Sequence, residues 1–166
     1  MRKGKGYFVS SIVAEYYTDN KSLLNKIDSN ICEVRQKFYI KKEGKLSEIS
    51  SEKIKIEDDI TMGVELIAKK NVYFVVIDVP MPACFELQKT EDIYDYYYDY
   101  FWYPVESHDT YSSIFYWGIN KGDTINFYLK VIPVLTGRFS MPPVKVFEMY
   151  NPERVSYGIK RTLIVK

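Results

Sequence analysis

Apolar and polar residues along this chain mostly alternate one for one, which is the two-residue period of β-strands. In "GYFVSSIVAEYY" (6–17), Phe8, Ser10, Ile12, Ala14 and Tyr16 share one face, and Tyr7, Val9, Ser11, Val13 and Glu15 the other. "ICEVRQKFYIKK" (31–42) alternates more cleanly, setting Cys32, Val34, Gln36, Phe38 and Ile40 against Ile31, Glu33, Arg35, Lys37 and Tyr39. "NVYFVVIDV" (71–79) is a continuous apolar run of strand length, and it predicts a central strand covered on both faces. "DTINFYLKVIPVL" (123–135) alternates again, with Ile125, Phe127, Leu129 and Val131 on one side. "VKVFEMY" (144–150) and "YGIKRTLIVK" (157–166) complete the set of candidates.

The punctuation fits strands as well. "KEGK" (42–45) is a turn signal in which Gly44 can take a positive φ, and "INKGD" (119–123) is a second turn. Pro142-Pro143 and Pro152 cannot donate to a strand ladder, so they end one strand and limit the next. "DNKSLLNKIDSN" (19–30) reads either as two helical turns capped by Asp19 or Asn20, or as a loop. Short strands divided by Gly, Pro and Asn turns predict an all-β fold, an antiparallel β-sandwich with at most short helices. At 166 residues the chain is most simply one domain, 1–166, with a Tyr/Asp-rich insertion at 88–112.

Composition narrows the function. Apolar residues make up 46% of the chain, enough for one core, and the near-balanced charge and 16% aromatic content argue against disorder. A net charge of +1 with scattered Lys and Arg argues against a nucleic-acid surface. The basic start "MRKGKG" and the apolar run behind it look at first like a leader. The run is short, is broken by Ser10-Ser11 and ends on Glu15, so it reads as a strand. No stretch reaches the roughly 18 apolar residues of a membrane helix. Cys32 and Cys84 either pair, if the protein is exported, or sit as two buried thiols, which is the preferred reading.

Catalytic and metal chemistry find little support. Ser107, His108 and Asp109 are chain neighbours, and neighbours on an extended chain point to alternate faces, so they do not converge as a triad must. With a single histidine and two distant cysteines a zinc tetrad has no ligand set, and "EDD" (57–59) lacks the spacing of a calcium loop. "GKG" near the start precedes a strand and makes no phosphate loop. No cofactor, metal or catalytic residue is expected. In "EDIYDYYYDYFWYP" (91–104), Tyr94, Tyr96, Tyr98, Tyr100 and Trp102 fall on one side at period two. They form either an aromatic platform for a glycan or a protein, or an insertion lying flat on the sandwich, with Asp95 and Asp99 opposing aggregation.

Three stretches, in order, resemble the C-terminal end of bacterial alpha-2-macroglobulin-family proteins. "GYFVSSIVAEYY" is similar to the family's opening Gly-x-Tyr-Tyr strand, and "YFVVIDVPMPACFE" to its apolar strand leading into Pro-x-Pro-Ala-Gly, with Cys84 in place of that glycine. "LTGRFSMPPVKVFEMYNPERVSYG" is similar to its closing run, keeping the spacing of the glycine, the prolines and Met-Tyr-x-Pro. The resemblance implies a macroglobulin-like, immunoglobulin-like β-sandwich at the position of the receptor-binding domain of animal relatives. It implies a non-catalytic C-terminal part of an exported protease trap of the periplasm or cell envelope. Its partners would be the thioester domain and neighbouring macroglobulin domains, and proteases would be met only by the full-length protein. An internal thioester is not expected in this chain, because Gln36 follows Cys32 by four positions where the motif needs three. Carried over by residue, Met149 and Tyr150, positioned by Pro142, Pro143 and Pro152, are candidates for a loop that shields the thioester. The alternatives are that both simply pack in the sandwich or cover its edge, or that the chain is a free-standing binding module using 94–103.

Overall fold

A computed structural model of the chain describes residues 31–42, 44–88 and 105–166. The candidate strand at 6–17, the segment 19–30 and the aromatic run with Tyr94, Tyr96, Tyr98, Tyr100 and Trp102 lie outside the described residues. Strands and turns make up the described part, and the chain is an all-β, antiparallel sandwich.

The first sheet holds β1 (Cys32–Lys42), β2 (Lys45–Ile49), β3 (Ile60–Ala68), β5 (Phe85–Leu87) and β8 (Thr124–Pro133), in the order β2-β1-β3-β8-β5. The second holds β4 (Val72–Pro80), β6 (Val105–Ser107), β7 (Tyr111–Ile119), β10 (Lys145–Glu148) and β11 (Asn151–Tyr157), in the order β11-β10-β4-β7-β6. β9 (Gly137–Met141) and β12 (Arg161–Val165) form a separate pair.

The core follows from the alternation. Cys32, Val34, Phe38 and Ile40 of β1 are buried with Met62, Val64 and Leu66 of β3 and Phe127, Leu129 and Val131 of β8. Val75, Ile77 and Val79 of β4, Ile114 of β7 and Val146 of β10 belong to the same cluster. Gln36 sits on the same inward face, and its amide donates to Met62 Sδ at 3.2 Å. The buried Ser156 hydroxyl of β11 accepts the backbone N–H of Ile31 at 3.1 Å and of Cys32 at 3.0 Å, tying the two sheets together at the start of β1. The hairpin between β1 and β2 closes with Lys42 opposite Lys45 and with φ +77° at Gly44, as the turn signal predicts.

Three expectations change. β4 is central in its sheet, but it is not covered throughout, because Tyr73 and Phe74 are exposed. β2, β3, β5, β6, β7, β9 and β11 are strands that were not expected from the sequence, β11 because its opening Asn-Pro-Glu reads as a loop. Of the segment 88–112, residues Val105–Ser107 and the first part of Tyr111–Ile119 are regular strands of the second sheet. Cys84, standing where the resembling sequences have glycine, keeps a negative φ, and the turn there closes by the Phe85 N–H donating to the Pro82 carbonyl at 2.9 Å.

Candidate functional site

β10 and β11 are joined by a hairpin whose two connecting residues are Met149 and Tyr150. Pro142 and Pro143, half-buried, separate the end of β9 at Met141 from the start of β10 at Lys145. Pairing of β10 with β11 runs regularly to Phe147 opposite Val155, then jumps to Glu148 opposite Asn151, so Pro152, Glu153 and Arg154 bulge out of the ladder. A proline fits such a bulge because it has no N–H to leave unpaired. Met149 is 43% exposed and Tyr150 76%, so the two residues stand out at the tip.

The hairpin is held from below by charge and hydrogen bonds. Glu148 is buried, and Arg154 Nη1 donates to both of its carboxylate oxygens at 2.8 Å. The Tyr73 N–H donates to Glu148 Oε1 at 3.1 Å, and Arg154 Nη2 donates to the Asn71 carbonyl at 3.2 Å. Asn71 Oδ1 in turn accepts the Lys121 N–H at 2.8 Å, in the turn between β7 and β8. A buried carboxylate needs this kind of saturation, since an unpaired one loses its hydration without return. The Met149 N–H adds a bond of 2.8 Å to the Phe74 carbonyl.

Phe74 is the irregular residue of β4. Its φ is +50°, the left-handed region, which costs a bulky L-residue about 1–2 kcal/mol. The ladder with β7 passes from Tyr73–Gly118 to Val75–Tyr116 and skips Phe74 opposite Trp117. As a result the strict alternation breaks, and Tyr73 and Phe74 are both exposed while Val72 and Val75 are buried. The Phe74 ring meets the Tyr150 ring edge-on at 5.2 Å and the Trp117 ring edge-on at 5.9 Å. Trp117 is 77% exposed. Tyr150, Phe74 and Trp117 thus make one row of rings across the end of the sheet, flanked by Tyr73 and Met149. Gly118 lets β4 and β7 approach beside this row, for a Cβ there would lie 2.8 Å from the Val72 carbonyl oxygen.

Residues 32–153 match the family model of the bacterial alpha-2-macroglobulin MG10 domain. The chain belongs to that family. The solved structures similar to this MG10 domain include Salmonella alpha-2-macroglobulin reacted with methylamine, at 17% identity and a TM-score of 0.66, covering 83% of this chain and 9% of that one. Native alpha-2-macroglobulin from Escherichia coli matches at 15% identity and a TM-score of 0.67, over 83% of this chain and 10% of that one. An Escherichia coli structure running from domain MG7 to the C-terminus matches at 15% identity and a TM-score of 0.66, over 83% of this chain and 24% of that one. The chain therefore spans about a tenth of the full-length proteins it resembles. No protein of curated function matches its sequence.

Of the residues the sequence singled out, Met149 and Tyr150 share the hairpin tip with Pro152 beside them, whereas Pro142 and Pro143 precede β10 at its other end. His108 is exposed, stacked on Tyr111 with ring centroids 4.4 Å apart, in the hairpin between β6 and β7. Asp58 of the acidic turn accepts the Lys55 N–H at 2.8 Å. The sequence reading missed Tyr73, Phe74 and Trp117. The available signal was two adjacent aromatics in a strand and a Trp-Gly pair just before a turn, both breaks in the two-residue period.

Proposed function

We propose that this MG10 domain is the C-terminal, non-catalytic part of a bacterial protease-trapping macroglobulin, and that its Met149–Tyr150 hairpin packs on the thioester domain of the same chain. In this reading the whole of 1–166 is one domain at the receptor-binding position, and the full-length protein is exported to the periplasm or cell envelope. The hairpin acts by contact. A thioester hydrolyses when water reaches it, so a bulky apolar side chain laid over it slows that reaction. Met fills an irregular gap well, and Tyr adds rigid area with a polar tip.

The observation that carries the reading is the pairing of exposure with restraint. Met149 and Tyr150 are exposed, yet the buried Glu148 just before them is tied to the half-buried Arg154, and the Met149 N–H itself to the Phe74 carbonyl. A tip that only covered a sheet edge would not need so many bonds to hold it away from the core. Two relatives are in keeping with it: the Salmonella protein is described as reacted with methylamine and an Escherichia coli one as trypsin activated. The alternative, a binding module for a glycan or a protein, rests on the aromatic run 94–103, which lies outside the described residues.

The test is methylamine incorporation by the full-length chain carrying this domain. Met149→Ala/Tyr150→Ala is expected to raise the rate at least about tenfold, the factor equivalent to ~1.4 kcal/mol of lost docking. An unchanged rate contradicts the shielding role and leaves the family assignment intact.

A further inference from the structure

We propose that Phe74 is the positioning residue of the Met149–Tyr150 hairpin, its left-handed backbone and its ring together fixing the direction in which Tyr150 projects. The inference deepens the shielding role proposed above and rests on it for its purpose, but not for its geometry.

Three observations converge on this one residue. Among the described residues Phe74 is the non-glycine residue with a positive φ, and it lies inside the central strand of its sheet, not in a loop. Backbone strain in a strand persists only where the surroundings over-determine it. Here the Phe74 carbonyl receives the Met149 N–H at 2.8 Å, and the Tyr73 N–H just before it is bonded to the buried Glu148. The ring then stands between Tyr150 and Trp117, edge-on to both, at 5.2 and 5.9 Å. A phenylalanine in regular extended conformation would have placed successive side chains on opposite faces, and only one of Tyr73 and Phe74 could then face outward.

The physical consequence is pre-organisation. Tyr150 is 76% exposed, so an unsupported ring there would sample several rotamers and lose that freedom on docking. Edge-on contact with Phe74 removes part of this cost before the partner arrives. Trp117, on the far side of Phe74, backs the row and extends the apolar surface onto β7.

Three substitutions separate ring from backbone. Phe74→Gly suits the left-handed backbone and removes the ring, Phe74→Ala removes the ring but keeps the strain, and Phe74→Tyr keeps both. Because Phe74 is 43% exposed, losing its ring opens no closed core cavity. In NMR spectra of this chain, cross-relaxation between the residue 74 and Tyr150 rings, and the ring-current displacement of the Tyr150 ring protons, are expected in the wild type and in Phe74→Tyr. Both are expected to vanish in Phe74→Gly and Phe74→Ala. Phe74→Gly should also melt no lower than Phe74→Ala, the reverse of the order in a regular strand. Tyr150 ring shifts that are unchanged in Phe74→Gly and Phe74→Ala, or a Phe74→Gly variant that melts below Phe74→Ala, overturn the proposal.

A second readout keeps the two inferences apart. In the full-length chain, Phe74→Gly is expected to accelerate methylamine incorporation in the same direction as Tyr150→Ala. If Tyr150→Ala accelerates it and Phe74→Gly does not, the positioning role falls and the shielding role stands. If neither accelerates it while the NMR contacts are lost as expected, the shielding role falls and Phe74 remains the residue that orients Tyr150.

Discussion

Burial pushes the thiols of Cys32 and Cys84 up to about 11 from their ordinary value of 9.0, more than offsetting the Ser156 hydroxyl and the Lys69 charge that pull Cys32 the other way. Both cysteines are free and buried, as the sequence reading preferred. Well below pH 9.0 the thiols are protonated in both the folded and the unfolded chain, so they contribute no pH dependence there. Above it the unfolded chain gives up these protons first, and the folded chain holds them until about 11. The folded state then binds more protons, and stability falls as pH rises through that window, by at most about 1.4 kcal/mol per pH unit for each thiol. Urea unfolding at pH 8 and pH 10 checks this, with Cys32→Ala/Cys84→Ala as control. The wild type should lose more stability between the two pH values than the double variant, and equal losses would show that the buried thiols are not the cause. Gly118 is a different residue-scale constraint: an added Cβ there meets backbone, whereas at Gly63 it meets the edge of the Tyr39 ring at 2.8 Å, which can swing aside.

At the scale of elements, alternation in the sequence was informative wherever one face is buried and the other is not. The inward residues of β1 and β8 could be read one by one from 31–42 and 123–135. β3 alternates too, Ile60, Met62, Val64 and Leu66 inward between Thr61, Gly63 and Glu65, and it was passed over although its pattern was there to read; Gly63 lies under Tyr39 and Tyr128. β11 was hidden because its first residues bulge around the Glu148–Arg154 pair, a contact six positions apart that no local period encodes. Met149 and Tyr150 were singled out through the closing motif, but Phe74 meets Tyr150 from β4 and Trp117 meets Phe74 from β7, and nothing local in the sequence reports such a meeting. Arg154→Ala tests what the pair does for the hairpin. Among the described residues it leaves the buried carboxylate with the Tyr73 N–H, and with Arg154 about one-third exposed the expected loss is ~1–3 kcal/mol. Urea unfolding should show that loss, and hydrogen exchange should show faster exchange at the Met149 and Tyr73 amides. Unchanged exchange at both would mean that the hairpin holds without the pair.

For the whole molecule, the informative contrast is between a closed sandwich core and one end that is apolar and open. Tyr73, Phe74, Trp117, Met149 and Tyr150 are all exposed and gather at the end of the second sheet where β4, β7 and the β10–β11 hairpin meet. In the proposed role this exposed apolar end is a contact face, as contiguous apolar surface on a folded domain commonly is. The chain spans 9% of the Salmonella protein it resembles, and in the proposed role the remaining length supplies the surface that covers this end. Radical footprinting of Met149, Tyr150 and Trp117 measures that cover most directly, comparing this chain alone with the unreacted full-length protein and with the same protein after methylamine treatment. The account predicts rapid oxidation in the isolated chain, protection of all three in the unreacted full-length protein and renewed oxidation after methylamine. Equal oxidation in all three samples would contradict it.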